Sequence, residues 1–211
     1  MIEIKNLSKA YKGNVLFEDL NLIIPDGEKV LIKGPNGSGK SVLMKMIVGY
    51  SKPDVGEVVI DGSVIGKDTD FIKNAGISIN APEFMKDMSG IDNLMYLINI
   101  NKNATKDDIY KLAEKLDIKK DLNKKYRNYS LGMKQKLRII QALVENPKYL
   151  ILDEPFDALD KTSQKKLRAL LEEFIDGTKT LIFTTHNVEF EDIADKIYEI
   201  DNHGLLVPES N

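Results

Sequence analysis

Gly34-Pro35-Asn36-Gly37-Ser38-Gly39-Lys40-Ser41 satisfies the pattern G-x-x-x-x-G-K-[ST], and its flanks give the pattern meaning. Val30-Leu31-Ile32 before it is a short apolar strand. Val42 to Val48 after it is apolar on nearly every side until Gly49, a residue type that closes helices. Strand, glycine loop and buried helix make a phosphate cradle: the glycines let successive backbone N–H groups turn inward, and the helix start adds the positive end of its dipole. Asn36, Gly37, Ser38, Gly39 and Val42 belong to that cradle. Lys40 adds a full charge directed at β and γ phosphates, and the Ser41 hydroxyl is the natural ligand for Mg²⁺.

Phosphate chemistry also needs a second metal anchor and a group that orients water. Tyr149 to Leu152 is an apolar strand ending in Asp153-Glu154-Pro155. In open α/β sheets ligands sit beyond the carboxyl ends of strands, which places this pair beside the loop despite the intervening chain. Asp153 is expected to hold Mg²⁺ and Glu154 to polarise the attacking water. Without the glycine loop, the same two acids would simply close a strand.

Around these motifs strands alternate with helices. Ile2 to Leu7, Val15 to Ile24, Glu57 to Ile60, Gly76 to Ile79 and Thr180 to Thr184 read as strands, with Lys196 to Ile200 expected as the last. Ile109, Leu112, Ala113 and Leu116 follow the helical period, as do Leu167, Leu170, Leu171 and Phe174. Asn187 to Ala194 reads as a short helix and 202–211 as a loose tail. The reading is one α/β domain over 1–211: a mainly parallel sheet flanked by helices, an N-terminal β-rich portion, and an inserted helical portion. The catalytic core takes 1–79 and 148–200, the helical portion 80–147, and the tail 201–211.

Composition narrows the class. There are 30 Lys and Arg against 33 Asp and Glu, for a net charge of -3, so bulk charge gives no reason to expect a nucleic-acid partner. Zero Cys removes disulfides and thiolate chemistry, and two His leave little for a His-based metal site, so a metal should have oxygen ligands. The longest apolar run, Leu94 to Ile98, is far short of the ~18 residues of a membrane span. The first residues lack the apolar core of a signal peptide, which makes the cytoplasm the expected location.

One further stretch separates phosphate-loop proteins from one another: Asn128-Tyr129-Ser130-Leu131-Gly132-Met133-Lys134-Gln135, just ahead of the Asp153-Glu154 strand. With it, the chain resembles, nearly end to end, the ATP-binding cassette ATPases that serve as nucleotide-binding subunits of ABC transporters. Physically, Ser130 can cap a helix while Gly132 lets backbone approach a γ-phosphate. The resemblance implies that this phosphate belongs to the ATP of a second subunit, so that two ATP molecules are sandwiched in a head-to-tail dimer. It also implies roles for Tyr11 stacking on adenine, Asn80 near Mg²⁺, Asp160 in the loop after Glu154, and His186 beside the γ-phosphate. Each has a plainer alternative: Tyr11 as core, Asn80 as a turn residue before Pro82, Asp160 as a helix cap, His186 as a strand end.

The family's signature most often reads Leu-Ser-Gly-Gly-Gln. Here Leu131 and Met133 replace the first Gly and the Gln, as in cassettes similar to peptide-antibiotic exporters and immunity systems. Asn80 stands where the family usually has Gln, one methylene longer. The implied function is an ATPase subunit, most simply a homodimer, held to the inner face of the membrane by a separate permease. Its alternatives are a soluble ABC ATPase unlinked to transport and a phosphate-loop nucleotide kinase. Two further features are a +4 charge over 101–128, read as a solvated face or a membrane-facing one, and the apolar residues Phe84, Met85, Met88 and Ile91, read as core or as a docking groove.

Overall fold

The computed structural model describes residues 1–11, 13–201 and 206–208. Two sheets enclose one helix. The first is antiparallel, in the order β2-β1-β4-β5, formed by β1 (Ile2–Tyr11), β2 (Asn14–Ile24), β4 (Val55–Ile60) and β5 (Ser63–Val64). The second runs β10-β9-β3-β8-β7-β6: β3 (Lys29–Lys33), β6 (Ala75–Ser78), β7 (Tyr149–Leu152), β8 (Thr180–Phe183) and β9 (Lys196–Ile200) are parallel. β10 (Leu206–Pro208) closes its edge antiparallel to β9. The expected last strand is therefore followed by another, and the rest of the expected tail, apart from Asp201, lies outside the described residues.

Period-two alternation divides the core. Val30, Ile32, Ile151 and Ile182 point to one face of the parallel sheet, where they pack with α1 (Lys40–Val48) and with Ile2, Ile4, Phe17 and Ile60 of the antiparallel sheet. Leu31, Leu150, Leu152, Leu181 and Phe183 point to the other, against α4 (Leu131–Leu143) and α5 (Lys161–Phe174). Both faces are covered, which is why these short strands read as unbroken apolar runs. α1 is buried on most sides because it lies between two sheets. It ends at Gly49, whose φ of 95° suits a residue without a Cβ.

The helical portion contains α2 (Gly90–Asn101), α3 (Lys106–Lys115) and α4. Ser89 and Thr105 cap α2 and α3, the latter with a reciprocal Thr105–Asp108 box. β6 meets α4 so closely that a side chain at Gly76 would collide with the Ala142 carbonyl. The expected helix over Asn187 to Ala194 is a 3₁₀ segment, Val188–Ile193, begun by an Asn187 side chain that accepts from the Glu189 N–H. Many cations of the basic stretch are spent locally: Lys111, Lys115, Lys119, Lys124 and Arg127 pair with Asp108, Glu173, Glu114, Asp121 and Asp87. That favours the solvated-face reading of the +4 charge.

Candidate active site

Four strand ends meet at the carboxyl edge of the parallel sheet. β3 delivers the glycine loop, β7 Asp153 and Glu154, β8 Thr184 to His186, and β6 the segment containing Asn80. A cleft of about 270 Å³ opens there, lined by Leu16, Asn36, Gly37, Gly39, Lys40, Ser41, Val42, Asp153, Glu154 and His186.

Lys40 is nearly buried, and its ammonium donates to the carbonyls of Gly34 at 2.7 Å and Pro35 at 3.2 Å. The loop thereby holds the charge over its own concavity. Ser41 donates to Asp153 Oδ2 at 2.7 Å, joining the two expected metal ligands although 112 residues separate them. The other carboxylate oxygen accepts from Thr184 at 2.8 Å, and the Thr184 hydroxyl in turn accepts from the Glu154 N–H at 2.9 Å. Thr184 is a site residue that sequence reasoning missed, because a Thr ending an apolar strand is unremarkable in composition.

Glu154 sits at φ 48°, a left-handed conformation unusual for a residue with a side chain. Its neighbours hold it there. Thr184 takes the N–H, while the buried Gln135 side chain donates to the carbonyls of Glu154 at 3.2 Å and Pro155 at 3.0 Å. The carboxylate turned inward by this backbone has both oxygens buried without a hydrogen-bond partner among the described residues. His186 Nε2 lies 3.2 Å from Oε1, close but misaligned for a hydrogen bond. Burial pushes the Glu154 pKa up, opposed by His186 and reinforced by the charges of Asp157 and Asp153.

Those orphan oxygens test whether a nucleotide belongs here. The Ser38 hydroxyl is likewise buried and unpartnered. Acceptors waiting for a polarised water, a cationic cradle and a spare hydroxyl fit a polyphosphate with an attacking water. No cluster of three His or acidic side chains occurs among the described residues, so an ion held by Ser41 and Asp153 would draw the rest of its shell from phosphate oxygens and water.

The remaining expected residues stand apart from the cleft. Tyr11 is 46% exposed at the far end of β1, with its hydroxyl 3.3 Å from that of Ser51 and the Lys9 ammonium 5.0 Å from its ring. Asn80 is exposed with φ 55° and lines no part of the cleft: the left-handed turn at Asn80 and Ala81 carries the chain away. Asp160 caps α5, accepting from the Ser163 N–H at 2.7 Å, as its plainer alternative held. Ser130 is exposed and caps α4, accepting from the Met133 N–H at 3.2 Å; Gly132 packs under the Ala158 carbonyl. Neither reaches this chain's own cleft. Of Phe84, Met85, Met88 and Ile91, the first two line a second, apolar groove of about 480 Å³ with Tyr96, Leu97 and Ile100, whereas Ile91, in the first turn of α2, is core.

The chain is similar to known proteins in both sequence and fold. The family model described as "ABC transporter" matches residues 17–157. The bacitracin transport ATP-binding protein BcrA of Enterococcus faecalis is 33% identical over 214 residues, covering 100% of this chain and 69% of that protein. The lantibiotic transport ATP-binding protein SrtF of Streptococcus pyogenes is 32% identical over 198 residues, covering 93% and 85%. Among solved structures, the dimeric ATP-binding cassette MJ0796 in a post-hydrolysis state with ADP and Pi superposes with a TM-score of 0.84 at 26% identity, covering 100% of this chain and 98% of that one. The glycine loop, the strand-end acids and the capped signature helix thus have one explanation in common: this chain belongs to the ABC transporter family, as one of its ATP-binding subunits.

Proposed function

We propose that the chain hydrolyses ATP at an interface between two copies of itself and thereby drives a membrane permease. The observation that carries this is a division of labour. The cleft gathers Lys40, Ser41, Asp153, Glu154 and His186, while Ser130 and the N-terminus of α4 are exposed outside it. A γ-phosphate held by the first group leaves one side open, and the α4 tip of a second copy supplies N–H donors for that side. Leu131, 71% exposed at the same tip, supports a protein surface covering it.

Within the cleft, Lys40 binds the β and γ phosphates, and Ser41 and Asp153 would hold Mg²⁺, which supplies neutralisation of phosphate charge. Glu154, aimed by its left-handed backbone, accepts a proton from the attacking water; His186 orients that water and the γ-phosphate. Adenine then lies toward Tyr11, which needs the β1–β2 arm to approach. Asn80, exposed on a left-handed turn, would meet Mg²⁺ through water or by reversal of that turn.

The apolar groove supports a permease helix as its occupant, since exposed Tyr96, Leu97, Ile100 and Met85 offer anchors spaced for a helix. The named relatives, described as serving bacitracin and lantibiotic transport, support peptide antibiotics as the transported class, with the subunit on the cytoplasmic face of the membrane. The test is Glu154→Gln. With Mg-ATP this variant should run as a dimer by light scattering, and phosphate release should fall at least about a hundredfold. A monomer that still hydrolyses ATP at the wild-type rate overturns the reading, and a phosphorylated acceptor in place of free phosphate favours the kinase.

A further inference from the structure

The catalytic cleft and the apolar groove open on different surfaces, and α4 runs between them. Two of its side chains, in contact with each other, link the lip of one to the backbone of the other. Gln135, 6% exposed, donates through Nε2 to the carbonyls of Glu154 and Pro155. Its Oε1 accepts from Arg138 Nη1 at 3.3 Å, so all its amide capacity on this side is committed and its orientation is fixed by its partners. Arg138, 8% exposed, spends the rest of its guanidinium on the groove lip: Nε donates to the Pro82 carbonyl at 3.0 Å and Nη2 to Glu83 Oε1 at 3.3 Å. Lys134 adds a 3.9 Å contact to the other Glu83 oxygen.

We propose that Arg138, acting through Gln135, is a positioning residue that makes the backbone of Glu154 and the Pro82–Met85 lip move as one unit. A buried guanidinium cannot release one end without leaving donors unpaired at a cost near that of a lost charged hydrogen bond, so displacement at either end is transmitted rather than absorbed. Both ends terminate in strained backbone suited to two positions. Glu154 stands at φ 48°, and Asn80 and Ala81, at φ 55° and 47°, form the joint just before Pro82. Occupancy of the cleft then shifts the groove, and by reciprocity occupancy of the groove shifts the cleft. This inference rests on the reading that the cleft binds ATP and that the groove receives the permease.

The chain contains no Cys, so Met85→Cys creates a unique thiol on the lip. Met85 is 45% exposed, and its backbone is held by Asn93, which accepts from the Met85 N–H at 2.8 Å and donates to its carbonyl at 3.0 Å. A solvent-sensitive fluorophore there reads the lip without a permease. Mg-ATP is titrated into labelled M85C and M85C/R138M, and nucleotide affinity is measured separately by calorimetry. The expected result is an emission shift in M85C that is lost in the double variant, with ATP affinity within about twofold of the parent. Should R138M fail to fold, Glu83→Ala, whose carboxylate is half exposed, is expected to reduce the shift at least about twofold.

An undiminished shift in R138M, or in E83A where that variant stands in, overturns the proposal. So does bound ATP with no shift in M85C. Calorimetry showing no ATP binding is a different failure: it removes the ATPase reading itself, on which the inference stands.

Discussion

The Thr184 hydroxyl donates to Asp153 Oδ1 at 2.8 Å, so the carboxylate ending one strand is aimed by the strand beside it. Because the same hydroxyl accepts from the Glu154 N–H, one side chain sets both acids. Thr184→Val keeps the shape and removes both contacts, leaving an acceptor and a donor each short of a partner. At about 1–3 kcal/mol for an unsatisfied group, partly relieved by cleft water, turnover should drop on the order of tenfold. Thr184→Ser should recover most of it. Phosphate release measured beside calorimetric ATP affinity checks this, and equal turnover in the Val variant would sink the assignment.

His186 is half exposed, 3.2 Å from a carboxylate oxygen that has no other partner among the described residues. His186→Ala should leave ATP binding nearly intact, since in the proposed function Lys40 and the loop hold the phosphates, while turnover falls about a hundredfold. A loss confined to affinity in equilibrium binding and steady-state assays would move His186 from chemistry to binding.

Gly132 sets two rules against each other. Replacing Gly by Ala inside a helix ordinarily gains about 0.5–1 kcal/mol. Here a Cβ would stand 2.9 Å from the Ala158 carbonyl oxygen, closer than a carbon can rest against backbone, in a loop where Ala158 already has φ 60°. The contact wins. Gly132→Ala should lower the melting temperature and slow hydrolysis by displacing the loop that carries Glu154. A higher melting temperature with unchanged turnover, by calorimetry and phosphate assay, is the opposite outcome.

The cleft was legible in the sequence because its parts are local: a strand, glycines at fixed spacing, a helix, and acids at a strand end. The parallel sheet placed them together by topology alone. Thr184, Gln135 and Arg138 were not legible, since each acts through a contact across elements that no spacing records. Asn80 shows the complementary limit. The resemblance implied a place for it near Mg²⁺; here consecutive left-handed residues at 80 and 81 leave it exposed and outside the cleft lining, and backbone sign is not written in an Asn-Ala pair. Likewise β10 lies within 202–211, a stretch whose composition reads as a tail.

Acid stability should depend on Lys148. Its ammonium lies 2.9 Å from Asp61 Oδ1 and 3.0 Å from Asp26 Oδ2, and the Tyr149 hydroxyl donates to both acids, tying the turns after β2 and β4 to the start of β7. Burial alone would raise both carboxyl pKa values. Hydrogen bonds from the Met1 ammonium, Lys148 and Tyr149 outweigh it and hold both below the ordinary 3.8. A depressed folded-state pKa means the unfolded chain binds protons first, so the stabilisation is fully present above about pH 3.8 and disappears as pH falls through the folded values. Lys148→Met removes a cation both acids share. The variant should therefore unfold at lower denaturant concentration than wild type at pH 7, with the gap narrowing steadily below the ordinary carboxylate range. Urea midpoints measured from pH 7 to pH 2 decide it: a gap that stays constant with pH would assign Lys148 to packing rather than charge.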